Sequence, residues 1–230
     1  MINLIYDVGM HTGEDTDFYL KKGFDVVAIE ANKDLVEENE KKFKKYIEEK
    51  KLIIINCAIN LHEGQFNFYK NKKHQWSSLI ESIGTREGNY EIEKVNCLNI
   101  SKIFNQYGMP YYLKIDIEGK DETVISPLSD FIDKPKYISF EGGNFNTLEL
   151  LLKFNYKLFK IIDQSKYYEW KCPEISLEGN YVDYKFPLGS SGLFGEETEG
   201  CWLDIDEAKS KISYYKSNNA GWLDVHAKLY

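Results

Sequence analysis

The sequence predicts an α/β domain built around a parallel β-sheet. Through the first half of the chain, short apolar runs alternate with longer amphipathic runs in the order strand, helix, strand, helix, strand. Such alternation gives parallel strand pairing with right-handed crossovers. A glycine-bearing loop follows the first strand, and the length of 230 residues is enough for one domain with a full hydrophobic core.

The first five elements follow from the hydrophobic pattern and from the residues at their ends. We predict strands at residues 4–8, 26–30 and 52–59, and helices at residues 15–22 and 33–50. Gly23 ends the first helix, because glycine readily adopts the left-handed conformation of a helix C-terminus. Asn32 or Asp34 caps the second helix, whose many charges indicate a solvated face.

The remaining elements are less regular. Strands are predicted at residues 64–69, 91–98, 111–117, 137–141 and 156–162, and helices at residues 101–107, 120–125, 144–154 and 206–216. Between residues 163 and 203 no long periodic segment appears, although aromatic residues are common there. Long irregular segments in compact domains are usually functional. We therefore predict one domain over residues 1–230, with a substrate-binding or lid insertion around residues 163–203.

Composition and charge disfavour several classes of protein. The formal net charge is -8, which argues against general affinity for nucleic acid or anionic membranes, because phosphate binding needs a basic surface. No apolar run is long enough for a membrane span, and the first residues lack the features of a signal peptide. The four cysteines are scattered without metal-ligand spacing, as expected of reduced thiols in a cytoplasmic protein.

The loop after the first strand carries the strongest signal for a ligand. Asp7 precedes Gly9 and Gly13, which are spaced as Gly-x-x-x-Gly between a strand and a helix. This spacing differs from the glycine patterns of dinucleotide and phosphate binding, and a carboxylate at Asp7 would repel a pyrophosphate. A cationic ligand such as S-adenosylmethionine suits the loop better, while a tight turn without a ligand is the structural alternative.

Residues at the ends of the next two strands extend the predicted site. Glu30 ends the second strand, where an acidic side chain can accept hydrogen bonds from ribose hydroxyls. Asn56 and Ala58 lie near the end of the third strand, where an adenine is expected, because ligands of open α/β sheets bind at the carboxyl ends of the strands. Glu30 alone is weak evidence, since strands often end at a charged residue.

Carboxylates also follow two later strands. Asp116 and Glu118 are two residues apart and so point to the same side of an extended chain, and Glu141 ends the next strand. Carboxylates placed together are costly unless a cation, a proton or a hydrogen-bond donor is near. One interpretation is catalysis or cofactor contact. The other is a solvent-facing strand end, with Glu118 favoured by a helix N-terminus.

Together these motifs resemble the FkbM family of S-adenosylmethionine-dependent methyltransferases. The resemblance lies in residues 7–16, 27–32, 76–78, 113–119, 189–196 and 221–227. It implies a Rossmann-like class I methyltransferase fold, with a mostly parallel seven-stranded sheet and helices on both faces. It also implies S-adenosyl-L-methionine as cofactor and methyl transfer to a hydroxyl oxygen of a sugar, glycan or secondary metabolite. Many members carry Ala-Asn where this chain has Met10 and His11.

The resemblance and the residue chemistry together give the predicted site. Candidate bases for the acceptor hydroxyl are His11, Asp116 and Glu141, and a histidine pKa is best matched to neutral pH. Asp116, Glu118 and Glu141 could instead hold Mg²⁺, although no dedicated ligand spacing is present. The acceptor is expected to contact Trp76, Ser77, Ser78 and Glu118. The cofactor is expected to contact Asp7, Gly9, Met10, His11, Gly13, Thr16, Glu30, Ala31, Asn56, Ala58 and Asp116.

Alternatives stay open on the sequence alone. A non-catalytic protein that keeps the fold, or an NAD-dependent oxidoreductase, would share part of this pattern, though the glycine spacing disfavours the oxidoreductase. The basic run at residues 70–74 is expected to be a solvated turn or a contact for an acidic acceptor. Trp222 and His226 are expected either to close on the site or, as favoured here, only to pack near the end of the chain. The expected partner is a small-molecule or glycan acceptor, without nucleic acid or membrane insertion, and the oligomeric state is not indicated.

Overall fold

The computed structural model describes residues 3–218 and 222–230. Its strands are β1 (Leu4–Val8), β2 (Asp25–Glu30), β3 (Leu52–Asn56), β4 (Ala58–Ile59), β5 (Gly64–Asn71), β6 (Tyr90–Leu98), β7 (Tyr112–Ile115), β8 (Tyr137–Glu141), β9 (Tyr156–Asp163) and β10 (Leu223–Leu229). Seven of them form the central sheet in the order β3-β2-β1-β7-β8-β10-β9. Only β10 in this sheet runs antiparallel to its neighbours. The predicted α/β fold with a mostly parallel seven-stranded sheet is confirmed.

Helices cover both faces of the sheet. They are α1 (Glu14–Lys21), α2 (Lys33–Lys42), α3 (Lys44–Glu48), α4 (Glu81–Gly84), α5 (Ile100–Tyr107), α6 (Asp121–Ile125), α7 (Phe145–Lys153) and α8 (Ile205–Ser217). Apolar side chains of α5, α6, α7 and α8 form one core with the sheet, and α1 contributes to a second core on the opposite face. Among the described residues, no helix is both long and apolar enough to cross a membrane.

Several predicted boundaries differ from the observed elements for local reasons. The helix predicted at 33–50 is divided at Phe43, whose φ of -104° and ψ of 15° are not helical. The helix predicted from Ser101 begins one residue earlier, because the Asn99 side chain is the N-cap and accepts a hydrogen bond from the Ser101 N–H at 2.9 Å. Asn32 caps α2 in the same way, as predicted.

The strand predicted at 52–59 is wrong as a single element. β3 ends at Asn56, and Ala58–Ile59 instead joins a three-stranded sheet of order β4-β6-β5 that the sequence pattern did not indicate. β5 and β6 are antiparallel over eight residue pairs. The small sheet lies beside the carboxyl end of β3 and brings residues 73–79 toward the edge of the sheet where ligands are expected.

β10 was not predicted, although it lies between β8 and β9. Its Leu223, Val225 and Ala227 enter the helix-covered core, while Asp224 and His226 alternate with them and are buried on the opposite face. The period of two is a strand signal, but polar residues at the alternate positions leave no continuous apolar run to mark the strand. Gly221, which belongs to the late resembling segment, lies outside the described residues.

The segment 164–203 covers the second face of the sheet where further helices were expected. Phe194 stacks on Tyr112 of β7 at a centroid distance of 4.7 Å, and Phe186 packs against Phe18 of α1 at 4.9 Å. Lys22 and Glu197 form an ion pair of 2.9 Å whose side chains are fully buried. Three of the eight aromatic residues in the predicted lid insertion are buried in this core and three more pack against it, and its role as a lid stays a prediction.

Candidate active site

A cavity of about 510 Å³ opens at the carboxyl ends of the parallel strands. Its floor contains the residues that end or follow β1, β2, β7 and β8, namely Gly9, Glu30, Asp116 and Glu141. Residues 73–79, Leu188, Gly189 and Trp222 form the remaining walls. Ligands of open α/β sheets bind at this edge, so the cavity is the candidate active site.

The loop after β1 folds back on β2 through its own backbone. The N–H groups of Gly9 and Met10 both donate to the Ile29 carbonyl, at 2.9 and 3.0 Å, and the Gly13 N–H donates to the Met10 carbonyl at 2.9 Å. The His11 N–H donates to the Glu30 carboxylate at 2.8 Å. Because these four donors are engaged, they do not form the cradle of free N–H groups that binds a pyrophosphate.

Gly9 is required by packing inside the protein. Its φ is +89°, and a Cβ atom there would lie 1.8 Å from the carbonyl oxygen of Asp116. A glycine is therefore needed for the loop to approach the end of β7. This contact places Gly9, Met10 and His11 against Asp116 in the cavity wall.

Glu30 lies where a ribose would be bound. Its two carboxylate oxygens accept hydrogen bonds from the backbone N–H groups of His11 and Asn32, each at 2.8 Å, and the residue is 8% exposed. Burial raises the pKa of Glu30, and the two N–H donors oppose that shift. Each carboxylate oxygen has a further lone pair for a ligand hydroxyl. The two N–H donors therefore hold the carboxylate in place and leave it able to accept hydrogen bonds from a ligand.

An apolar surface adjoins Glu30. Ala31, Cys57 and Ala58 line the cavity there, together with Leu35, Ile59 and Phe68. Such a surface suits the flat, weakly polar ring of an adenine. Asn56 does not belong to this surface: its side-chain amide donates to the Glu30 and Ala31 carbonyls at 3.0 and 3.2 Å. The predicted adenine contact at Asn56 is thus replaced by a role in holding the backbone.

Asp7, Gly13 and Thr16 lie behind the cavity wall, in contrast to their predicted cofactor contacts. Asp7 is fully buried and accepts hydrogen bonds from Thr16 Oγ1 at 2.6 Å and Lys114 Nζ at 3.0 Å. A Cβ on Gly13 would meet the Phe43 ring at 2.6 Å. These residues join the loop to α1, and the charge of Asp7 is compensated inside the protein.

Lys114 is the central residue that the sequence interpretation missed. Its ammonium lies 3.0 Å from Asp7, 3.4 Å from Asp15 and 3.6 Å from Asp116, and it donates to the Gly9 carbonyl at 2.9 Å. The side chain is 3% exposed and lines the cavity. A lone lysine between Leu113 and Ile115 in an apolar strand was the available signal, because a buried lysine needs carboxylate partners.

His11 is placed at the cofactor end of the cavity and is engaged by acidic neighbours. Its ring Nδ1 lies 3.8 Å from the Glu14 carboxylate, and its φ is +50°. Burial alone would lower the pKa of His11, but the hydrogen bond and charge of Glu14 and the charge of Glu30 outweigh it and raise that pKa. Because the Glu14 carboxylate already engages its ring, His11 is a weaker candidate than an unpartnered carboxylate for accepting a proton from the acceptor.

Carboxylates crowd the other end of the cavity. Burial raises the pKa of Glu141 to about 8, with the charges of Asp116, Glu118 and Asp121 adding to the shift. Burial and Asp116 likewise raise the pKa of Glu118 to about 7. Arg86 lies 3.9 Å from Glu118, whereas Glu141 has no hydrogen-bond or ion-pair partner within the described part of the chain. Among Asp116, Glu118 and Glu141, which line the cavity here, Glu141 is therefore the carboxylate best able to accept a proton.

The cavity wall that adjoins these acids carries the predicted acceptor residues. Trp76, Ser77 and Ser78 all line the cavity. Ser78 Oγ donates to the Glu118 carbonyl at 3.0 Å, which ties this wall to the loop after β7. Lys73 lies 4.2 Å from the centroid of the Trp76 ring and pairs with Glu87. The structure thus brings the predicted acceptor residues together around Glu118 and Glu141.

Metal binding at these carboxylates has no support. Within residues 3–218 and 222–230, no group of three or more His, Cys, Asp or Glu side chains is arranged to hold a metal ion. The structure thus gives no support to the Mg²⁺ site suggested for Asp116, Glu118 and Glu141.

We expect Glu141→Gln to stabilise the ligand-free protein at alkaline pH. The folded pKa of Glu141 is about 8, against an ordinary value near 4.5, so its contribution to stability is fully present below pH ~4.5 and is lost as the pH rises through 8. A neutral glutamine removes that loss. The variant should exceed the wild type by about 1–3 kcal/mol at pH 9 and match it at pH 4.5. Urea unfolding at both pH values measures this, and an equal difference at both would contradict it.

Comparison with known proteins identifies related methyltransferases. Residues 7–162 match the family model described as the methyltransferase FkbM domain. Among solved structures, methyltransferase FkbM from Methylobacillus flagellatus KT is 15% identical, with a TM-score of 0.40, over 59% of this chain and 31% of its own. The chain therefore spans less than a third of that protein.

Two further structures are similar over most of both chains. Precorrin-6Y C5,15-methyltransferase from Geobacter metallireducens GS-15 is 10% identical, covering 99% of this chain and 79% of its own with a TM-score of 0.42. A SAM-dependent methyltransferase from Archaeoglobus fulgidus is 14% identical, covering 98% and 85% with a TM-score of 0.43. No curated protein matches the chain. The match to the family model covers more than half of the chain.

Proposed function

The chain belongs to the FkbM methyltransferase family, and from this premise we propose that it is an S-adenosyl-L-methionine-dependent O-methyltransferase. Its acceptor would be a hydroxyl group of a sugar, a glycan or a secondary metabolite. The observation that supports this best is the pairing in one cavity of Glu30 with an apolar surface at one end and of Glu141 with an indole wall at the other. The scattered free cysteines are consistent with a cytoplasmic location, which is part of the proposal.

The cavity residues fit this cofactor by their chemistry. Ala58 and its apolar neighbours suit an adenine, and Glu30 suits the two ribose hydroxyls. Asp15 and Asp116 line the cavity near Gly9 and His11, where they would face the cationic methionine portion. When bound, the cofactor supplies an electrophilic methyl group on a sulfonium.

The same residues disfavour an NAD-dependent oxidoreductase. The N–H groups of Gly9, Met10, His11 and Gly13 already donate hydrogen bonds within the protein, so they are not available to a pyrophosphate. The carboxylates beside them would repel its negative charges. The repulsion between Asp7 and a pyrophosphate that the sequence suggested does not contribute, because the Asp7 carboxylate is buried behind the cavity wall.

We assign proton acceptance to Glu141. With the cofactor bound as methyl donor, the acceptor oxygen would be methylated as its proton passed to the Glu141 carboxylate, and the carbon–sulfur bonding pair would stay with the leaving sulfur. A base whose pKa lies near the working pH is the most effective, and the pKa of Glu141 is about 8. Asp116 is less suited because Lys114 lies 3.6 Å from it. The wall formed by Trp76 would hold the acceptor in line for attack.

Transfer of a labelled methyl group from S-adenosylmethionine to a panel of sugars and phenols tests the proposal. We expect transfer by the wild type and a fall in kcat of about 10²–10⁴ for Glu141→Gln, the usual contribution of a general base. Affinity for S-adenosylhomocysteine should change little, because Glu141 lies away from Glu30. Glu149→Gln, the same change at an exposed ion pair with Lys209, is the matched control.

Two outcomes would contradict the assignment in different ways. Equal kcat values for Glu141→Gln and the wild type would remove Glu141 as the base. Binding of S-adenosylhomocysteine without transfer to any acceptor would favour a non-catalytic protein that keeps the fold.

A further inference from the structure

Carboxylates outnumber cations around the acceptor end of the cavity. The cations that contact or line it are Lys73, Lys114, Lys120 and Arg86, of which Lys73 also pairs with Glu87 and Lys114 with Asp7 and Asp15. Against them stand five carboxyl side chains within the described chain, in the cavity wall there or directly behind it: Asp116, Glu118, Asp121, Glu141 and Asp224. S-adenosylmethionine would not balance this excess of carboxylates over cations, because its own carboxylate offsets one of its two positive charges.

Asp224 is an independent sign of an unmet requirement for positive charge. It is 5% exposed, and no hydrogen bond or ion pair reaches its carboxylate from the described residues. The register of β8 and β10 places it directly opposite Glu141, so the two side chains share one face of the sheet and are close neighbours. Burying an unpaired carboxylate is costly. A hydrogen-bond donor carrying positive charge would satisfy both groups.

The indole side chains that line the cavity are compatible with a positively charged donor. Trp76 and Trp222 line the same space, and indole faces attract cations through the ring quadrupole. Lys73 already occupies a position over the Trp76 ring at 4.2 Å. Acids and aromatic surface therefore line the same space, which suits an ammonium better than a neutral or acidic substituent.

We propose that the acceptor is a hydroxyl compound with a protonated amino group next to the reacting hydroxyl, as in an amino sugar, and that Glu118 and Glu141 recognise its ammonium, with Asp224 acting from its buried position beside Glu141. This inference rests on the proposed methyl transfer and narrows its substrate class. An ammonium at this place would also favour the ionised form of Glu141, the form that accepts a proton. A cationic acceptor would thus activate its own base, and a neutral acceptor of the same shape would not.

Matched acceptors test the proposal. Glucosamine, glucose and N-acetylglucosamine differ mainly at one substituent, and galactosamine with galactose gives a second pair. Binding to the protein saturated with S-adenosylhomocysteine is measured by calorimetry, and methyl transfer is measured separately. We expect at least one amino sugar to bind about 10-fold or more tightly than its neutral partner, a difference of about 1.4 kcal/mol.

Variants identify the residues responsible. Glu118→Gln and Asp224→Asn keep side-chain shape while removing charge, and each should reduce the preference for the amino sugar about 5-fold or more. Glu149→Gln, at the exposed pair with Lys209, should leave the preference unchanged. Thermal unfolding of each variant checks that the fold is retained.

The outcomes separate this inference from the proposed function. Neutral sugars that bind and react as well as amino sugars would overturn the inference and leave methyl transfer intact. Absence of amino-sugar binding would also overturn it. Preferential binding of an amino sugar without methyl transfer would support the recognition and contradict the proposed reaction.

Discussion

Replacing Lys114 with methionine is expected to lower the free energy of unfolding by about 3–5 kcal/mol, the usual cost of removing one partner of a buried ion pair. The ammonium lies within 3.6 Å of Asp7, Asp15 and Asp116, and it donates to the Gly9 carbonyl. Methionine fills similar space without charge. Two buried carboxylates, Asp7 and Asp15, would then lie beside Asp116 with no cation between them.

The same substitution should also weaken cofactor binding by about 100-fold or more, because truncating a buried charge pair at a site costs about 2–5 kcal/mol. Lys114 joins the loop after β1 to the end of β7, and both line the cavity. Its loss would displace Gly9 relative to Asp116. Calorimetric titration with S-adenosylhomocysteine measures the affinity, and urea unfolding measures the stability.

Lys102→Met is the matched control. Lys102 pairs with Glu63 at 2.6 Å, but the two side chains are 62% and 39% exposed. Exposed pairs contribute about 1 kcal/mol or less, so this variant should retain nearly full stability and affinity. If Lys114→Met behaved like Lys102→Met in both measurements, the central role of Lys114 would be disproved.

Replacing Glu30 with glutamine is expected to lower the affinity for S-adenosylhomocysteine about 100-fold, or by about 2.7 kcal/mol. The two carboxylate oxygens each accept a backbone N–H, from His11 and from Asn32. A glutamine amide has one oxygen, so its NH₂ group would face one of these donors. The loop carrying His11 would lose its anchor, and a ribose hydroxyl would lose an acceptor.

Glu40→Gln gives the same change of side chain at an exposed position of α2. Its affinity for S-adenosylhomocysteine should equal that of the wild type. Circular dichroism should show that Glu30→Gln keeps its secondary structure, since the predicted change is confined to the loop. A wild-type affinity in Glu30→Gln would mean that the ribose is not bound there.

The first half of the fold could be predicted because its pattern is local. β1, β2 and α1 combine buried apolar runs with end signals such as Gly23 and Asn32, and these agree with the structure within about two residues. β10 could not be recognised in the same way. Its Asp224 and His226 are buried on the face opposite the helix-covered core, and nothing near them in sequence indicates that burial.

The same distinction between local and distant interactions decides which site residues could be predicted. Residues placed by strand ends, such as Glu30, Asp116 and Glu141, were correctly expected to converge, because parallel strands end at one edge of the sheet. The direction of a side chain behind that edge depends on partners distant in sequence. Asp7 turns toward Lys114, 107 residues away, and Asp15 accepts the Ser191 N–H, 176 residues away. Such pairings exceed what spacing can indicate.

Thermal unfolding with S-adenosylhomocysteine and, separately, with NAD tests most directly whether the cavity is a methyl-donor site. A ligand present at about 100 times its Kd adds about 2.7 kcal/mol to the stability of the folded state. For a domain of this size that corresponds to a rise in Tm of about 5–10 °C. We predict this rise with S-adenosylhomocysteine and none with NAD. A rise with NAD alone would contradict the assignment of the cavity.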